Sequence, residues 1–382
     1  MAPADGTPTV PGGRLGGPGA PGQRQRGQEA PSAAQSHAEF LDLGALEDRA
    51  RGLLPPPVAD YYAGGAEAEI TLGEASAAWR TWRLRPRVLR GVSAVELGTS
   101  LLGSEVRTPI GVAPWAYQVM AHADGERGTA RGAAAAGALM TVSTSASTSL
   151  ADVAATEPTW PKWFQLYRLH SPAHTDDLAR RAGQAGYRAL VLTVDLPVMG
   201  RRLRDVANDF ALPADLPLAN RPPAGTTAPA DSPPWTFDDI ARFGGLSELP
   251  VVVKGVLRGD DAARCVQAGA AAVWVSTHGG RQADPTVASA HALPEVADAV
   301  GDEVEIYADG GIRSGSDAFT ALALGATAVF VGRPVIWGLA AGGADGVARV
   351  LDGLSAQLAH TMALCGVPSV REVPRDTVMP AR

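Results

Sequence analysis

The chain has 382 residues, 46% of them hydrophobic, and a formal net charge of −7 from 33 basic and 40 acidic residues. The acidic balance argues against a nucleic-acid or anionic-membrane partner, since both require a concentrated positive field. No run approaches the roughly 18 apolar residues that a membrane span needs, so we expect a soluble, cytoplasmic protein. The two cysteines, Cys265 and Cys365, each lie among small apolar residues. They are predicted to be buried packing residues rather than a disulfide.

The N-terminal residues 1–36 are rich in Gly, Pro, Ala and Gln and lack the apolar stretch of a signal peptide. They also lack large apolar residues that could offset the entropy of ordering, so a disordered tail is predicted. Residues 37–382 are predicted to form one domain. Its beginning has helical composition over Phe40–Glu47 and Val58–Tyr62, with three prolines between them.

Beyond residue 105 an apolar run, a polar or glycine-containing loop and an alanine-rich helical stretch recur eight times. The runs span 109–113, 139–143, 163–167, 189–194, 250–254, 272–276, 305–309 and 328–332. Apolar runs without strict alternation are typical of parallel strands covered on both faces. Eight such units predict an α/β fold, the TIM (β/α)8 barrel. A doubly wound open sheet is the alternative, which the absence of Gly-x-Gly-x-x-Gly after the first strand disfavours.

One connection is longer than the others. Residues 201–249, between the fourth and fifth runs, are rich in proline. Long loops in compact domains are usually lids or disordered segments. We therefore predict a long loop after strand four, on the side of the barrel where active sites form.

Active sites of TIM barrels lie at the C-terminal ends of the strands. In this sequence the strand ends carry Ser143, Gln165, Tyr167, Thr193, Asp195, Lys254, Ser276, His278, Asp309 and Arg313. So many polar and charged groups converging on one mouth are not expected from structural needs alone. The pattern predicts an active site there.

The segments after the last two strands, 308–313 and 331–334, each combine glycine with arginine. Glycine lets backbone N–H groups approach an anion, and arginine adds charge-assisted hydrogen bonds. Barrels commonly hold phosphate in these two loops. A phosphate site is therefore predicted, with two ordinary surface turns as the alternative.

His278 and Arg281 follow strand six, separated by two glycines. A neutral imidazole can take a proton near pH 7, and a guanidinium can bind a planar carboxylate through two hydrogen bonds. The pair fits a substrate with both a carboxylate and a removable proton. Arg202, after strand four, is either a second carboxylate ligand or a solvated loop residue. Lys254 either extends outwards or points into the barrel mouth to stabilise an anion.

From about residue 38 to about residue 375 the chain resembles the FMN-dependent 2-hydroxy acid dehydrogenase/oxidase family, which includes glycolate oxidase, lactate oxidase, mandelate dehydrogenase and 4-hydroxymandelate oxidase. The motifs that carry the resemblance lie at 60–66, 121–126, 164–167, 192–195, 253–256, 276–282, 309–313 and 331–334. So many motifs in the same order are not expected to match by chance.

The resemblance implies FMN as the cofactor, and no metal. His278 would be the base, Asp195 would stabilise its protonated form, and Lys254 would lie near the N1/O2 edge of the flavin. The substrate would be held by Arg202 and Arg281 at its carboxylate and by Tyr61, Tyr167 and His278, with Ser145 above its carbon. The other cofactor contacts would be Pro114, Trp115, Ala116, Ser143, Gln165, Tyr167, Thr193, Ser276, Asp309, Gly310, Gly311, Ile312, Arg313, Gly332 and Arg333.

Three positions depart from the family pattern. Thr277 replaces an asparagine, Trp115 stands where many members have Thr or Val, and Ser145 stands where glycolate oxidases have tryptophan. A serine removes bulk above the substrate carbon. Together with Ala116-Tyr117 and residues 202–205, which look most like the 4-hydroxymandelate oxidase branch, this favours a bulky or aromatic substrate.

The expected reaction is oxidation of a 2-hydroxy acid to a 2-oxo acid, with O2 as acceptor and H2O2 as product. A soluble dehydrogenase or a monooxygenase with the same half-reaction is the first alternative. A non-catalytic FMN-binding protein is the second. A homotetramer is expected from the family.

Overall fold

Eight parallel strands close into a barrel in the order of the chain in the computed structural model, which describes residues 42–221 and 233–381. The strands are β1 Ile110–Val112, β2 Met140–Ser143, β3 Lys162–Leu166, β4 Leu190–Thr193, β5 Val251–Val256, β6 Ala272–Val275, β7 Glu305–Ala308 and β8 Ala328–Val331. Pairing of β8 with β1 closes the barrel. Each predicted run overlaps one of these strands, so the TIM barrel is confirmed and the open sheet is wrong.

A helix follows each strand and covers the outside of the barrel. The helices are α1 Gly125–Ala136, α2 Leu150–Ala155, α3 Pro172–Gln184, α4 Asp238–Ser247, α5 Gly259–Gln267, α6 Ser289–Val300, α7 Gly315–Ala323 and α8 Arg333–Cys365. Ser149, Ser171 and Ser314 cap α2, α3 and α7 by accepting a first-turn N–H. The long α8 is interrupted at Gly342–Gly343, where the backbone leaves helical geometry.

Three helices precede the barrel, at Leu43–Leu53, Pro56–Ala63 and Ile70–Trp79. The first two correspond to the predicted helical stretches, although the first begins at residue 43 because the Asp42 side chain accepts two backbone N–H groups there. Residues 40 and 41 and the predicted disordered tail, 1–36, lie outside the described residues.

Shorter elements complete the fold. Strand Trp82–Leu84 pairs with Val378–Pro380, and Thr99–Leu101 pairs with Ser104–Val106 in a hairpin. A five-residue helix, Leu203–Ala207, follows β4. Single 3-10 turns lie at Gln118–Met120, His278–Gly280, Val370–Glu372 and Arg375–Thr377.

The predicted loop at 201–249 needs correction. It contains the helix Leu203–Ala207 and ends in the barrel helix α4, Asp238–Ser247. Past the last proline of the segment, Ile240 and Phe243 lie three residues apart and both are buried, a helical spacing that the proline-rich composition obscured. Asp238 and Asp239 occupy the first turn of α4, where negative charge is favourable. Residues 222–232 lie outside the described part of the chain.

Aromatic side chains fill the interior of the barrel. Trp163, Trp274, Tyr307 and Phe330 belong to one buried cluster with the hairpin residue Leu101, and the Trp274 and Phe330 ring centroids are 4.0 Å apart. The Leu102 N–H of the hairpin donates to Glu305 at the start of β7, so the hairpin packs against the N-terminal end and the open mouth lies at the C-terminal end. Both cysteines are buried and unpaired, as predicted. Within the described ranges, no helix has the length and hydropathy needed to cross a membrane.

Candidate active site

A cavity of about 650 Å³ opens at the C-terminal ends of the strands. Its volume lies within the range of small-molecule sites. Most predicted site residues line it: Tyr61, Pro114, Trp115, Ala116, Ser145, Tyr167, Thr193, Arg202, Lys254, His278, Arg281, Asp309, Gly310, Gly311, Ile312, Arg313, Gly332 and Arg333. The other predicted residues, Ser143, Gln165, Asp195 and Ser276, are buried or half-buried behind this lining and hydrogen-bond to one another or to it.

His278 is held between a carboxylate and a phenol. Its Nδ1 is 2.9 Å from Asp195 Oδ1, and its Nε2 is 3.2 Å from the Tyr167 hydroxyl. A carboxylate at Nδ1 places the proton of the neutral ring there and leaves Nε2 as the acceptor. Burial raises the pKa of Tyr167, so its hydroxyl stays protonated and donates to Nε2. His278 can thus accept a proton on the side of the cavity.

The backbone at His278 is also unusual. Its φ is +55°, in the left-handed region that residues other than glycine seldom adopt. The Ser276 hydroxyl accepts its N–H at 3.0 Å. Strained backbone of this kind persists where neighbouring contacts determine it, and it is concentrated at functional sites.

Asp195 supports the imidazole electrostatically. Burial raises the pKa of this carboxyl, but the charge and hydrogen bond of His278 and the charge of Lys254 outweigh burial and lower the pKa below its usual value. The carboxylate is therefore ionised at neutral pH and stabilises a protonated His278. Gln282 Nε2 donates to the Asp195 carbonyl at 2.8 Å and fixes the loop that carries it.

Arg281 is buried at the edge of the cavity. Its Nη1 donates to the carbonyls of Tyr61 and Gly64 at 2.7 and 2.8 Å, at the C-terminal end of the helix Pro56–Ala63. Burial and the nearby Arg202 lower its pKa to about 10, so the guanidinium remains charged at neutral pH. The carbonyls hold this cation in a fixed orientation beside the cavity.

Arg202 is held more loosely. Its Nη1 is 3.9 Å from Asp205 Oδ2, and its buried Nε has no hydrogen-bond partner among the described residues. The Arg202 and Arg281 guanidinium carbons lie 5.9 and 5.0 Å from the centroid of the same ring, Tyr61. Two neighbouring cations with donors to spare form an anion site, and planar carboxylates fit guanidinium groups best.

Lys254 joins the ends of three strands. Its Nζ donates to the Ser276 hydroxyl at 2.7 Å and lies 3.2 Å from Asp309 Oδ2. The Ser276 hydroxyl in turn donates to Asp309 Oδ1 at 2.7 Å. Since all three side chains are buried, this network fixes the ammonium at the floor of the cavity rather than extending it outwards.

The ends of β3 and β4 carry unsatisfied polar atoms. The Ser143 hydroxyl donates to Gln165 Oε1 at 3.2 Å, but Gln165 Nε2 and Thr193 Oγ1 are buried without a partner in the described part of the chain. Buried polar groups are normally hydrogen-bonded. The donors and acceptors along the edge of a flavin ring would satisfy both atoms, so these residues fit FMN.

The backbone of the loop after β7 can approach neighbouring groups closely because it contains two glycines. Gly310 and Gly311 have φ of +91° and +79°, and a Cβ at Gly311 would lie 2.1 Å from the Ala75 carbonyl oxygen. Trp79 Nε1 donates to the Gly310 carbonyl at 2.8 Å. Arg313, the last residue of the loop, is a cation whose pKa is lowered by burial. Backbone N–H groups and a buried guanidinium fit a phosphate.

The Arg333 side chain forms hydrogen bonds that its position in the sequence does not predict. Its guanidinium donates to the carbonyls of Tyr62, Ala63, Gly64 and Gly279 at 2.8 to 3.2 Å. The side chain therefore ties the first turn of α8 to the helix Pro56–Ala63. At the start of α8 the first N–H groups have no partner within the helix, which suits an anion.

The cavity also contains residues that were not among the predicted site residues. Tyr117, Phe210, Leu212 and Arg221 line it. The Phe210 ring stacks on Tyr61 with centroids 5.1 Å apart, and Arg221 Nη2 donates to the Tyr117 hydroxyl at 3.0 Å. In the sequence Tyr117 stands out only as part of the pair Ala116-Tyr117, which favours a bulky or aromatic substrate. Phe210, Leu212 and Arg221 belong to the segment after β4, whose path the strand spacing does not reveal.

Comparisons with known proteins agree with this geometry. A family model described as FMN-dependent dehydrogenase matches residues 50–380. The L-lactate oxidase of Nostoc sp. is 45% identical over 351 residues, which cover 87% of this chain and 96% of that protein. Human 2-hydroxyacid oxidase 1 is 41% identical over 349 residues, with 87% and 94% covered.

Solved structures of mandelate oxidase superpose on the chain. The complex with (S)-2-phenylpropionate gives a TM-score of 0.82 at 42% identity, covering 88% of this chain and 97% of that one. A mandelate oxidase mutant with the C4a-OH-FMN adduct gives a TM-score of 0.81 at 42% identity, with 86% and 97% covered. The resemblance found in the sequence motifs is confirmed, and the chain belongs to the FMN-dependent dehydrogenase family, with FMN as its cofactor.

Proposed function

We propose that this protein oxidises a bulky or aromatic 2-hydroxy acid to the 2-oxo acid, with O2 as the acceptor and H2O2 as the product. The observation that carries the proposal is a poised base, His278, in one cavity with two arginines, Arg202 and Arg281. When bound, FMN would supply the two-electron chemistry that links oxidation of the substrate to reduction of O2. Relatives named lactate oxidase, 2-hydroxyacid oxidase and mandelate oxidase support this reaction type.

The protein side chains bind the substrate and accept its proton. Arg202 and Arg281 bind the substrate carboxylate, and Tyr61 and Tyr167 contact the substrate from the cavity wall. Oxidation of the alcohol carbon releases two protons and two electrons, and Nε2 of His278 takes one of these protons. Asp195 then stabilises the imidazolium, because its carboxylate is already ionised and hydrogen-bonded to Nδ1.

The cofactor would be held by the remaining groups of the cavity. Gln165, Thr193 and the Lys254 ammonium would hydrogen-bond the flavin ring, and a cation at that edge would favour a negatively charged reduced ring. The loop 309–313 and the start of α8 would bind the phosphate. Arg333 would contribute its charge and its backbone N–H, together with the guanidinium N–H groups that do not bind carbonyls.

The substrate preference is inferred from the cavity wall around Ser145. Ser145 is small and lines the cavity, while Tyr117, Phe210 and Leu212 offer apolar surface nearby. A cavity of about 650 Å³ has room for an aryl group beside a flavin. The mandelate oxidase structures contain aryl ligands, which agrees with this preference.

Replacing Ser145 with tryptophan is expected to shift the enzyme towards small acids. The indole would fill space that an aryl side chain occupies, so kcat/KM for mandelate relative to glycolate should fall about tenfold to a hundredfold. Steady-state rates on both acids measure the ratio. Ser145→Ala, which adds no bulk, should keep the wild-type preference, and an unchanged ratio in Ser145→Trp would contradict the placement of this wall.

Salt is expected to weaken substrate capture. Cationic residues predominate in the cavity lining although the whole chain carries −7, and such a focused field attracts anions. Raising ionic strength from about 20 to about 300 mM should lower kcat/KM about threefold to tenfold, because the Debye length shortens. At saturating substrate kcat should stay nearly constant. A kcat/KM independent of salt would show that the cavity field does not assist binding.

Product analysis tests the oxidant. The proposal predicts one 2-oxo acid and one H2O2 for each O2 consumed. A carboxylic acid shortened by one carbon would indicate a monooxygenase instead, and turnover with an artificial acceptor but not with O2 would indicate a dehydrogenase. We also propose the homotetramer that the family resemblance implies, which light scattering of the purified holoenzyme would measure.

A further inference from the structure

Glu126 is a buried carboxylate outside the proposed chemistry. It lies in the first turn of α1, has no exposed surface, and does not line the cavity. Among the described residues no lysine or arginine forms an ion pair with it at salt-bridge distance. A buried carboxylate without a cation is costly unless several hydrogen bonds compensate for the lost water.

Four hydrogen bonds provide that compensation. Oε1 accepts from the backbone N–H groups of Gln118 and Ser147 at 3.1 and 2.9 Å. Oε2 accepts from the backbone N–H and the hydroxyl of Thr148 at 3.1 and 2.9 Å. Bonds to an ionised acceptor are stronger than neutral ones. Glutamine has nearly the same shape but could offer only one oxygen to these donors. The site therefore requires the carboxylate and not merely a side chain of this shape.

The four donors belong to two different loops of the cavity wall. Gln118 follows Tyr117 in the loop after β1, and Ser147 and Thr148 follow Ser145 in the loop after β2. Tyr117 and Ser145 both line the cavity. A single carboxylate therefore bonds to both loops within three residues of the side chains that face the substrate.

Other contacts confirm that the two loops form one unit. The Tyr117 N–H donates to the Ser145 carbonyl at 3.0 Å, and the Tyr62 hydroxyl donates to the Tyr117 carbonyl at 2.7 Å. Val119 N–H donates to the Ser147 hydroxyl at 3.4 Å. Movement of either loop would displace the other, and Glu126 is a charged side chain that bonds to both loops.

We propose that Glu126 is a positioning residue that sets the distance between Tyr117 and Ser145 and thereby the fit of the substrate side chain. This inference rests on the proposed function, since it concerns the substrate of the same cavity. Glu126 acts through the two loops and does not touch the reacting atoms. Its loss should change aryl recognition more than the chemical step.

The test is Glu126→Gln in the FMN-loaded enzyme. We expect KM for mandelate, and Kd for the unreactive analogue phenylacetate, to rise about tenfold, with kcat changing about threefold or less. The values for glycolate should change less, because a small acid does not reach the wall. Phenylacetate binding is followed by titration calorimetry and needs no turnover.

Glu305→Gln is the matched control. Glu305 accepts from the Leu102 N–H and the Tyr307 hydroxyl at the packed end of the barrel, so this variant should lose thermal stability without a change in Kd for phenylacetate. If Glu126→Gln likewise lowers only the Tm, the positioning role is wrong.

Thr148→Val is a milder variant that tests the same inference if Glu126→Gln does not fold. Thr148→Val removes one of the four bonds and keeps the carboxylate, and it should shift the mandelate-to-glycolate ratio in the same direction by a smaller factor. An unchanged ratio in Thr148→Val, with wild-type Kd for phenylacetate, would overturn the inference. If the wild-type enzyme oxidises no 2-hydroxy acid, the proposed function fails instead, which is a separate outcome.

Discussion

Replacing His278 with glutamine is expected to slow reduction of the bound flavin by 2-hydroxy acids about 10³-fold to 10⁴-fold. Glutamine can occupy similar space and hydrogen-bond to Asp195 or Tyr167, but it cannot accept the substrate proton at neutral pH. The phosphate and ring contacts lie elsewhere in the cavity, so FMN should remain bound. Stopped-flow absorbance under anaerobic conditions measures the reduction rate.

His360→Gln is the control for this experiment. His360 is exposed on α8 and does not line the cavity, so its loss should leave the rate unchanged. Flavin content per protein, read from the visible spectrum, separates a lost base from a lost cofactor. A His278→Gln enzyme that reduces its flavin at the normal rate would show that another group takes the proton.

Replacing Arg202 with methionine is expected to raise KM about a hundredfold. The variant keeps the apolar stem but removes a guanidinium whose buried Nε has no partner in the described ranges. One or two charge-assisted hydrogen bonds to a carboxylate are worth about 2 to 4 kcal/mol, which corresponds to this loss. A smaller fall in kcat should accompany it, because the substrate is less well oriented.

Arg201→Met provides a neighbouring comparison. The Arg201 side chain is exposed and does not line the cavity. Its removal should change KM only slightly, by weakening the electrostatic attraction of the whole protein for the anionic substrate. The uncharged amide of the substrate offers a second comparison, because it should bind equally poorly to the wild type and to Arg202→Met. Equal KM values for the acid in Arg202→Met and wild type would mean that Arg281 alone binds the carboxylate.

The barrel was predictable because its physical signature is local. Strands covered on both faces read as apolar runs, and eight of them with helices between leave one closed architecture. The same rule predicts from the sequence that Lys254, His278 and Asp309 lie at the mouth. Each lies at or just after the end of a strand, and the ends of all eight strands meet on one side.

The segment after β4 could not be derived in the same way. Its prolines indicated a loop, yet Leu203–Ala207 and α4 are helical, and Phe210 packs on Tyr61 across the chain. Contacts between residues about 150 positions apart leave no periodic trace. Tertiary packing rather than local propensity decides the path of this segment, and it shapes the part of the cavity that selects the substrate.

The hydrogen-bond partners of Arg333 and Glu126 also could not be predicted from the spacing of residues in the sequence. Arg333 was predicted to contribute to the phosphate site, and its guanidinium also donates to four backbone carbonyls. Glu126 lies in a motif that supported the family resemblance, but its bonds to two loops are visible only in three dimensions. Backbone carbonyls and N–H groups occur at every position, so sequence gives no sign of which ones converge.

In the proposed function, His278 and the two arginines serve oxidation of a 2-hydroxy acid. The most direct test of this function is anaerobic mixing of the FMN-loaded enzyme with a set of 2-hydroxy acids, mandelate and glycolate included, while the flavin absorbance is followed. We expect at least one aryl 2-hydroxy acid to bleach the flavin within seconds and air to restore the colour with formation of H2O2. A flavin that no 2-hydroxy acid bleaches would contradict the account.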